Sequence, residues 1–305
     1  MSTAKVKKGS ARHSEKRERL IFHLMLLPGM IVLALFVFVP LVGSLMAFQN
    51  YKIGLGLFRS EWVGLENYRI IFTFPDSVQV FWNTLVIAFG KLVLNAIIPV
   101  AFSILLNELG GKIFKRAFQT VVYLPHFLSW SVLVGLVYLF IGPTGYINKV
   151  LTSMGGQPIQ FLLNPNWFRP LIVIETIWKE AGWGTIIYLA ALSGVDEQLY
   201  EAAVVDGANR WKQLWHITLP AIRGTIITMF ILRMGSFMDT GFEQIYLMRN
   251  AINRQVAEVF DTYIYVEGIV NGNFSYSTTL GFFKSVISLI LVLVTNVIAN
   301  RVGEE

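Results

Sequence analysis

The sequence predicts an all-α membrane protein, with six transmembrane helices and a polar helix–turn–helix loop between the fourth and fifth. Three observations predict it. Apolar residues make up 54% of the chain and charged residues 14%, whereas a soluble domain is about a quarter charged; mean hydropathy is +0.58. Six stretches, at about 20–48, 80–106, 119–141, 170–191, 221–239 and 279–300, are apolar over roughly the 20 residues needed to cross a hydrocarbon core. Residues 201–220, EAAVVDGANRWKQLWHITLP, are amphipathic and charged yet lie between two of those stretches, so they must face water or a partner that lives in water.

Residues 1–19 form a basic tail. It holds seven of the chain's 25 basic residues: Lys5, Lys7, Lys8, Arg12, Lys16, Arg17 and Arg19. A nucleic-acid arm is one reading. A cytoplasmic flank obeying the positive-inside rule is the other, and the span that follows at once favours it; contact with anionic lipid fits the same reading. The first apolar run is longer than the roughly 7–15 residues of a signal-peptide core, and no small-residue cleavage site closes it. It reads as an uncleaved helix that opens a single transmembrane domain, 20–305.

The second span carries Lys91 and Asn95, and Lys112, Lys115 and Arg116 follow it. Summed over loops and ends, with the N-terminus inside, the cytoplasmic side holds fourteen Lys and Arg and the opposite side seven. That bias places both termini in the cytoplasm, and with them the 194–220 loop. The outer connections, about 49–79, 142–169 and 240–278, are long and contain turn signals such as Gly142-Pro143-Thr144-Gly145. Trp62, Trp82 and Trp167 near span ends suit an interfacial anchoring belt.

The fourth span has the densest set of polar residues: Glu175, Trp178, Lys179, Glu180 and Trp183. Glu175 and Lys179 are four apart, so they share a helix face and can pair. A stripe of Glu175, Trp178, Gly182 and Trp183 suits a sugar, whose hydroxyls bond acids and whose C–H faces stack on indoles. Lys91, Asn95, Arg233, Asp239 and Lys284 are further candidates for a substrate route, because ionisable groups at bilayer depth line cavities or pair with one another; an interhelical clamp is the rival reading of each. The basic members raise an acidic oligosaccharide as cargo, against which Glu175, Glu180 and Asp239 count.

In the loop, Ser193 or Asp196 can cap a helix. Leu199, Ala202 and Ala203 make a narrow apolar stripe beside Glu201 and Asp206. Gly207 permits a turn that a Cβ resists. A second helix is expected from about Asn209 to His216, ended by Leu219-Pro220 because the residue before proline is pushed out of helical geometry. The product is an elbow fixed at both ends to spans, a lever by which a push could tilt them.

The chain has no cysteine, and His13, His23, His126 and His216 are scattered without ligand-like spacing. No metal site, no catalytic cluster and no disulfide is expected.

Glu201-Ala202-Ala203, three residues, Gly207, nine residues, Ile217, one residue, then Leu219-Pro220 resembles the EAA loop of binding-protein-dependent ABC importer permeases of the type I, maltose-type fold. Trp62-Val63-Gly64-Leu65-Glu66-Asn67-Tyr68, Asn83-Thr84-Leu85, Tyr123-Leu124-Pro125-His126-Phe127 and Gly142-Pro143-Thr144-Gly145 resemble its complex-sugar branch. The resemblance covers about 20–300. It implies a transport subunit, not an enzyme, in a bacterial plasma membrane. It further implies a second homologous permease subunit, two ATP-binding subunits that grip the elbows, and an external solute-binding protein that delivers a sugar or oligosaccharide; nucleic acid is not a partner. Gly110-Gly111-Lys112 lacks the first glycine and final hydroxyl of a phosphate loop, so no cofactor is expected on this chain, and ATP and magnesium belong to a partner ATPase. A same-fold permease for a non-sugar solute is one alternative. An ATP-independent secondary transporter is another, although neither inverted repeats nor broken midplane helices are evident.

Overall fold

The computed structural model describes residues 8–73, 75–109 and 111–303, and side chains over 18–299 except positions 74, 75, 110 and 112. The basic tail therefore lies outside the described residues up to Lys7, as do the side chains of Lys8, Arg12, Lys16, Arg17 and Arg301, and Gly110 with the side chain of Lys112.

Helix α1 (Lys8–Leu33) starts within the stretch expected to be a tail, and it runs on through a π-turn at 34–38, α2 (Val39–Gly43) and a 3-10 turn ending at Phe48. A two-residue antiparallel pair, β1 (Gln49–Asn50) with β2 (Glu61–Trp62), precedes α3 (Glu66–Thr73) and the long α4 (Pro75–Glu108). Then come α5 (Lys112–Tyr123), α6 (Trp130–Ile141), α7 (Tyr146–Ser153), α8 (Pro165–Leu192), α9 (Glu197–Val205), α10 (Arg210–Gln213) and α11 (Leu219–Gly235). Short helices α12 (Phe242–Met248), α13 (Arg254–Ala257) and α14 (Phe260–Tyr265) lead to α15 (Phe274–Gly303). The connections expected to be outer loops are thus partly helical.

Among the described residues, five helices are long and apolar enough to cross a membrane: Glu18–Phe48, Asp76–Glu108, Trp130–Ser153, Arg210–Gly235 and Phe274–Ala299. The expected fourth span, 170–191, falls inside α8, which is 28 residues long but carries Arg169, Glu175, Lys179 and Glu180 and so is less apolar than the other five. The expected third span, 119–141, is not one helix. Pro125 sits in a 3-10 turn at 124–127, and α6 restarts with Ser129 as its cap, its hydroxyl accepting from Val132 N at 3.3 Å. Proline removes an N–H and crowds the preceding turn, which breaks a run that hydropathy alone reads as continuous. The fifth span ends at Gly235, before Asp239.

The helix does not stop at Leu219-Pro220. It passes from α10 through a π-turn at 214–218 straight into α11. The same arrangement occurs at 34–38, one residue before Pro40. In each, an i→i+5 bond, Leu219 N to Leu214 O and Val39 N to Ala34 O, closes the wide turn. A proline N has no hydrogen for the carbonyl four residues back, and its ring presses on that carbonyl. The wide turn moves the carbonyl aside and lets the helix continue.

At the centre, α4 and α8 lie along each other. One apolar cluster joins Ile87, Phe168 and Ile172 to Ile245 and Val259. A second joins Val80, Met238, Phe260 and Leu280, and a third joins Val100, Tyr188, Leu192 and Ile222. By contrast, none of the most apolar window of Glu18–Phe48 is buried against the described residues.

Candidate functional site

The elbow is built from its caps inward. Asp196 accepts from Gln198 N at 3.0 Å and starts α9; Asn209 accepts from Lys212 N at 2.9 Å and starts α10. Ser193, the other expected cap, instead bonds back to Ala190 O. Between the two helices Gly207 has φ +75°, a left-handed conformation open to glycine. Gly207 N donates to Val204 O and Ala208 N to Ala203 O, satisfying the last carbonyls of α9. Tyr200 OH meets Thr218 Oγ1 at 3.0 Å, tying the first arm to the π-turn. Arg210 pairs with Glu108 at the end of α4.

The residues of the expected motif are on this elbow. Glu201, Ala202, Asp206, Gly207 and Pro220 are exposed, while Ala203, Ile217 and Leu219 are half-buried. Around them Leu199, Val204, Val205, Trp211 and Trp215 are exposed, Val205 at 87% and Trp211 at 70%. So much exposed apolar surface on a charged loop marks a contact site for another protein or for a membrane.

The second feature is a cavity of about 140 Å³ between α4, α8 and α11. Lys91, Asn95, Arg233 and Asp239, singled out from the sequence, all line it, together with Thr176 and Glu180. Lys91 Nζ donates to Thr240 O at 2.7 Å and to Gln244 Oε1 at 2.8 Å. Gln244 is fully buried and makes four bonds in all: its Oε1 also accepts from Thr176 Oγ1, and its Nε2 donates to Ile172 O and Glu175 Oε2. This one amide joins α4, α8 and α12. Lys284 pairs with both Asp239 and Asp261, and Asp261 Oδ2 accepts from Thr240 N and Oγ1.

The remaining fourth-span residues are not arranged as expected. Glu175 and Lys179 do not pair. Glu175 turns to Gln244, while Lys179 Nζ donates to His126 O at 2.7 Å and Leu128 O at 2.5 Å, the carbonyls exposed by the break between α5 and α6. Lys179 is also 5.5 Å from the Trp130 ring centroid. A shared face made pairing possible, but the freed carbonyls are the stronger local demand, because irregular backbone at membrane depth must find donors. The proposed Glu175–Trp183 stripe divides likewise. Glu175 and Gly182 are buried, and Trp178 lines a separate apolar cavity with Glu175. Trp183 stacks on His126 at 4.6 Å, and His126 Nδ1 meets Glu180 at 3.1 Å.

Lys179→Met should therefore destabilise the break, at on the order of 1–3 kcal/mol for each carbonyl left without a donor. Lys179→Arg should retain most of the stability. Thermal unfolding of the purified protein in detergent measures this; an unchanged midpoint for the methionine variant contradicts the clamp.

Sequence reasoning missed Gln244, Asp261 and Thr240. They lie in connections where periodicity carries no signal, and their partners are far along the chain.

A fold almost wholly of helices, five of them long and apolar enough to cross a membrane, with a charged elbow and a polar cavity between helices, points to a membrane transport protein. Residues 96–304 match the family described as binding-protein-dependent transport system inner membrane component. The chain is 47% identical over 291 residues to Protein LplB of Bacillus subtilis (strain 168), covering 95% of this chain and 91% of that protein. It is 47% identical over 300 residues to the polygalacturonan/rhamnogalacturonan transport system permease protein YteP of the same organism, covering 95% and 94%. It superposes with TM-score 0.87 and 34% identity on a chain of a bacterial ABC transporter involved in the import of the acidic polysaccharide alginate, covering 95% of this chain and 99% of that one. A second structure, of the alginate transporter in complex with an alginate pentasaccharide-bound periplasmic protein, matches with TM-score 0.87 and 34% identity over 95% and 97%. The chain belongs to the binding-protein-dependent transport system inner membrane component family, and its fold is that of an ABC importer permease.

Proposed function

We propose that this chain is one of two permease subunits of an ATP-driven importer that moves an oligosaccharide delivered by an external solute-binding protein. The carrying observation is the elbow: an apolar, aromatic surface that none of the described residues covers, built on a glycine turn and joined without interruption to α11. In this reading α8 is a sixth crossing, both termini lie in the cytoplasm of a bacterial cell, and the elbow docks on an ATPase subunit. ATP and magnesium bind that partner, and this chain performs no catalysis. Closure of the ATPase pair moves two elbows together and shifts the spans between two packings, each favoured by a different ligand state. The cavity at Lys91, Asn95 and Arg233 then serves as part of the sugar's route. The carbohydrate class is supported by the relatives at 47% identity and by the alginate importer at 34%.

The sequence has no cysteine, so a single introduced thiol reports its own location. Val205→Cys should be labelled by a membrane-impermeant maleimide only in inside-out vesicles, and should cross-link to the ATPase subunit in the assembled complex. Labelling from the outer face, or no cross-link in an assembled complex, overturns the reading.

A further inference from the structure

We infer that Arg233 and Asn95 form a subsite for the carboxylate and an adjacent hydroxyl of a uronate-containing oligosaccharide, so that the intramembrane cavity selects acidic over neutral sugars. The inference rests on the importer reading and deepens it.

It follows from what each charge in the cavity holds. Two acidic groups line it, and both are engaged elsewhere: Asp239 with Lys284, and Glu180 with His126. The two basic groups are not so engaged. Lys91 spends two of its three N–H donors on the neutral oxygens of Thr240 and Gln244 and forms no ion pair among the described residues. The Arg233 side chain has no hydrogen-bond or ion-pair partner among the described residues, and its Nε is buried. Glu180 lies on the same cavity and acts on Arg233 electrostatically but does not bond it. A guanidinium at bilayer depth with no direct partner is costly, and such groups face a wet cavity or a ligand. The planar fork of arginine matches a carboxylate with two parallel bonds. Beside it, Asn95 gives its Nδ2 to Lys91 O at 3.0 Å and leaves Oδ1 buried without a donor.

An unpaired cationic donor and an unpaired neutral acceptor thus share one cavity. A uronate supplies the complement of both: a carboxylate for the arginine and an O–H for the amide oxygen. A neutral sugar satisfies Asn95 and leaves the arginine charge bare. The cavity, at about 140 Å³, has room for the acid-bearing edge of a sugar ring.

The test uses the complete complex in proteoliposomes, with trigalacturonate and its methyl ester each supplied at receptor-saturating concentration. The wild type should import the acid in preference to the ester. Arg233→Gln should lower trigalacturonate uptake by about tenfold, equivalent to ~1.4 kcal/mol, and bring the acid-to-ester ratio towards one. Arg233→Lys should restore most of the uptake, since it restores the charge though not the fork. Unchanged uptake in Arg233→Gln overturns the inference. So does an equal loss for both sugars that lysine fails to rescue, because that is the behaviour of a merely structural residue. A wild-type complex that prefers the ester overturns the acidic class and leaves the importer standing. One that imports neither sugar also overturns the acidic class, whereas a complex whose ATP hydrolysis does not respond to its solute-binding protein overturns the importer reading itself.

Discussion

Gly207→Pro should abolish coupled transport while leaving membrane insertion intact. Gly207 sits at φ +75°, and proline is locked near −65°, so the turn between α9 and α10 cannot form. The substitution also deletes the N–H that donates to Val204 O at 3.0 Å. The elbow's two arms would then lose their fixed angle, and a push on one would no longer reach α11. Uptake in reconstituted complex should fall about tenfold or more, at ~1.4 kcal/mol per tenfold, while ATP hydrolysis continues. Gly207→Ala is the control. Open space surrounds the position, so alanine meets only the left-handed backbone penalty of roughly 1–2 kcal/mol and should keep partial uptake. Normal uptake by the proline variant would remove the elbow from the mechanism.

Gly182→Ala should be the most damaging single-carbon change in the membrane domain. A Cβ at that position would lie 2.1 Å from Val122 O and 2.7 Å from Val122 C. Those are backbone atoms of α5, so the neighbouring helix must move as a unit. Overpacking of this kind costs typically about 1–3 kcal/mol and sometimes more, which corresponds to a loss of roughly 2–10 °C in unfolding midpoint. The shift also displaces the carbonyls that Lys179 caps, only a few residues along α5 and its break. A stable Gly182→Ala protein with an unaltered midpoint would show that α5 and α8 are farther apart than described.

Much of the fold was legible in hydropathy, because a helix facing hydrocarbon needs apolar length and little else. The elbow was legible for a different reason: charge and a glycine between two apolar runs leave few other places for the chain to go. What escaped was decided by tertiary partners. The break at Pro125 is hidden within an apolar run, and only the reach of Lys179 from α8 makes it tolerable. The continuity through Pro220 depends on a π-turn, and no residue type announces one. Glu175 and Lys179 have the spacing of a pair, yet Glu175 finds a better partner on α12 and Lys179 in the break between α5 and α6. Lys91, Asn95 and Arg233, three of the polar residues of the α4–α11 cavity, were each identifiable as a charge or an amide out of place in a span. Their convergence was not, since Gln244, which organises the neighbouring network, comes from a connection more than 50 residues beyond α8.

The first rod, from Glu18 to Phe48, contributes no buried window to its own chain. Its address is therefore written by solvent rather than by intramolecular fit. Swaps among leucine, phenylalanine, valine and methionine along it should drift freely wherever only acyl chains touch it. Past the end that packs on α15, where Ala47 is buried and Phe48 meets Trp62 and Phe282, any stretch that resists such drift would mark a line of contact with another protein.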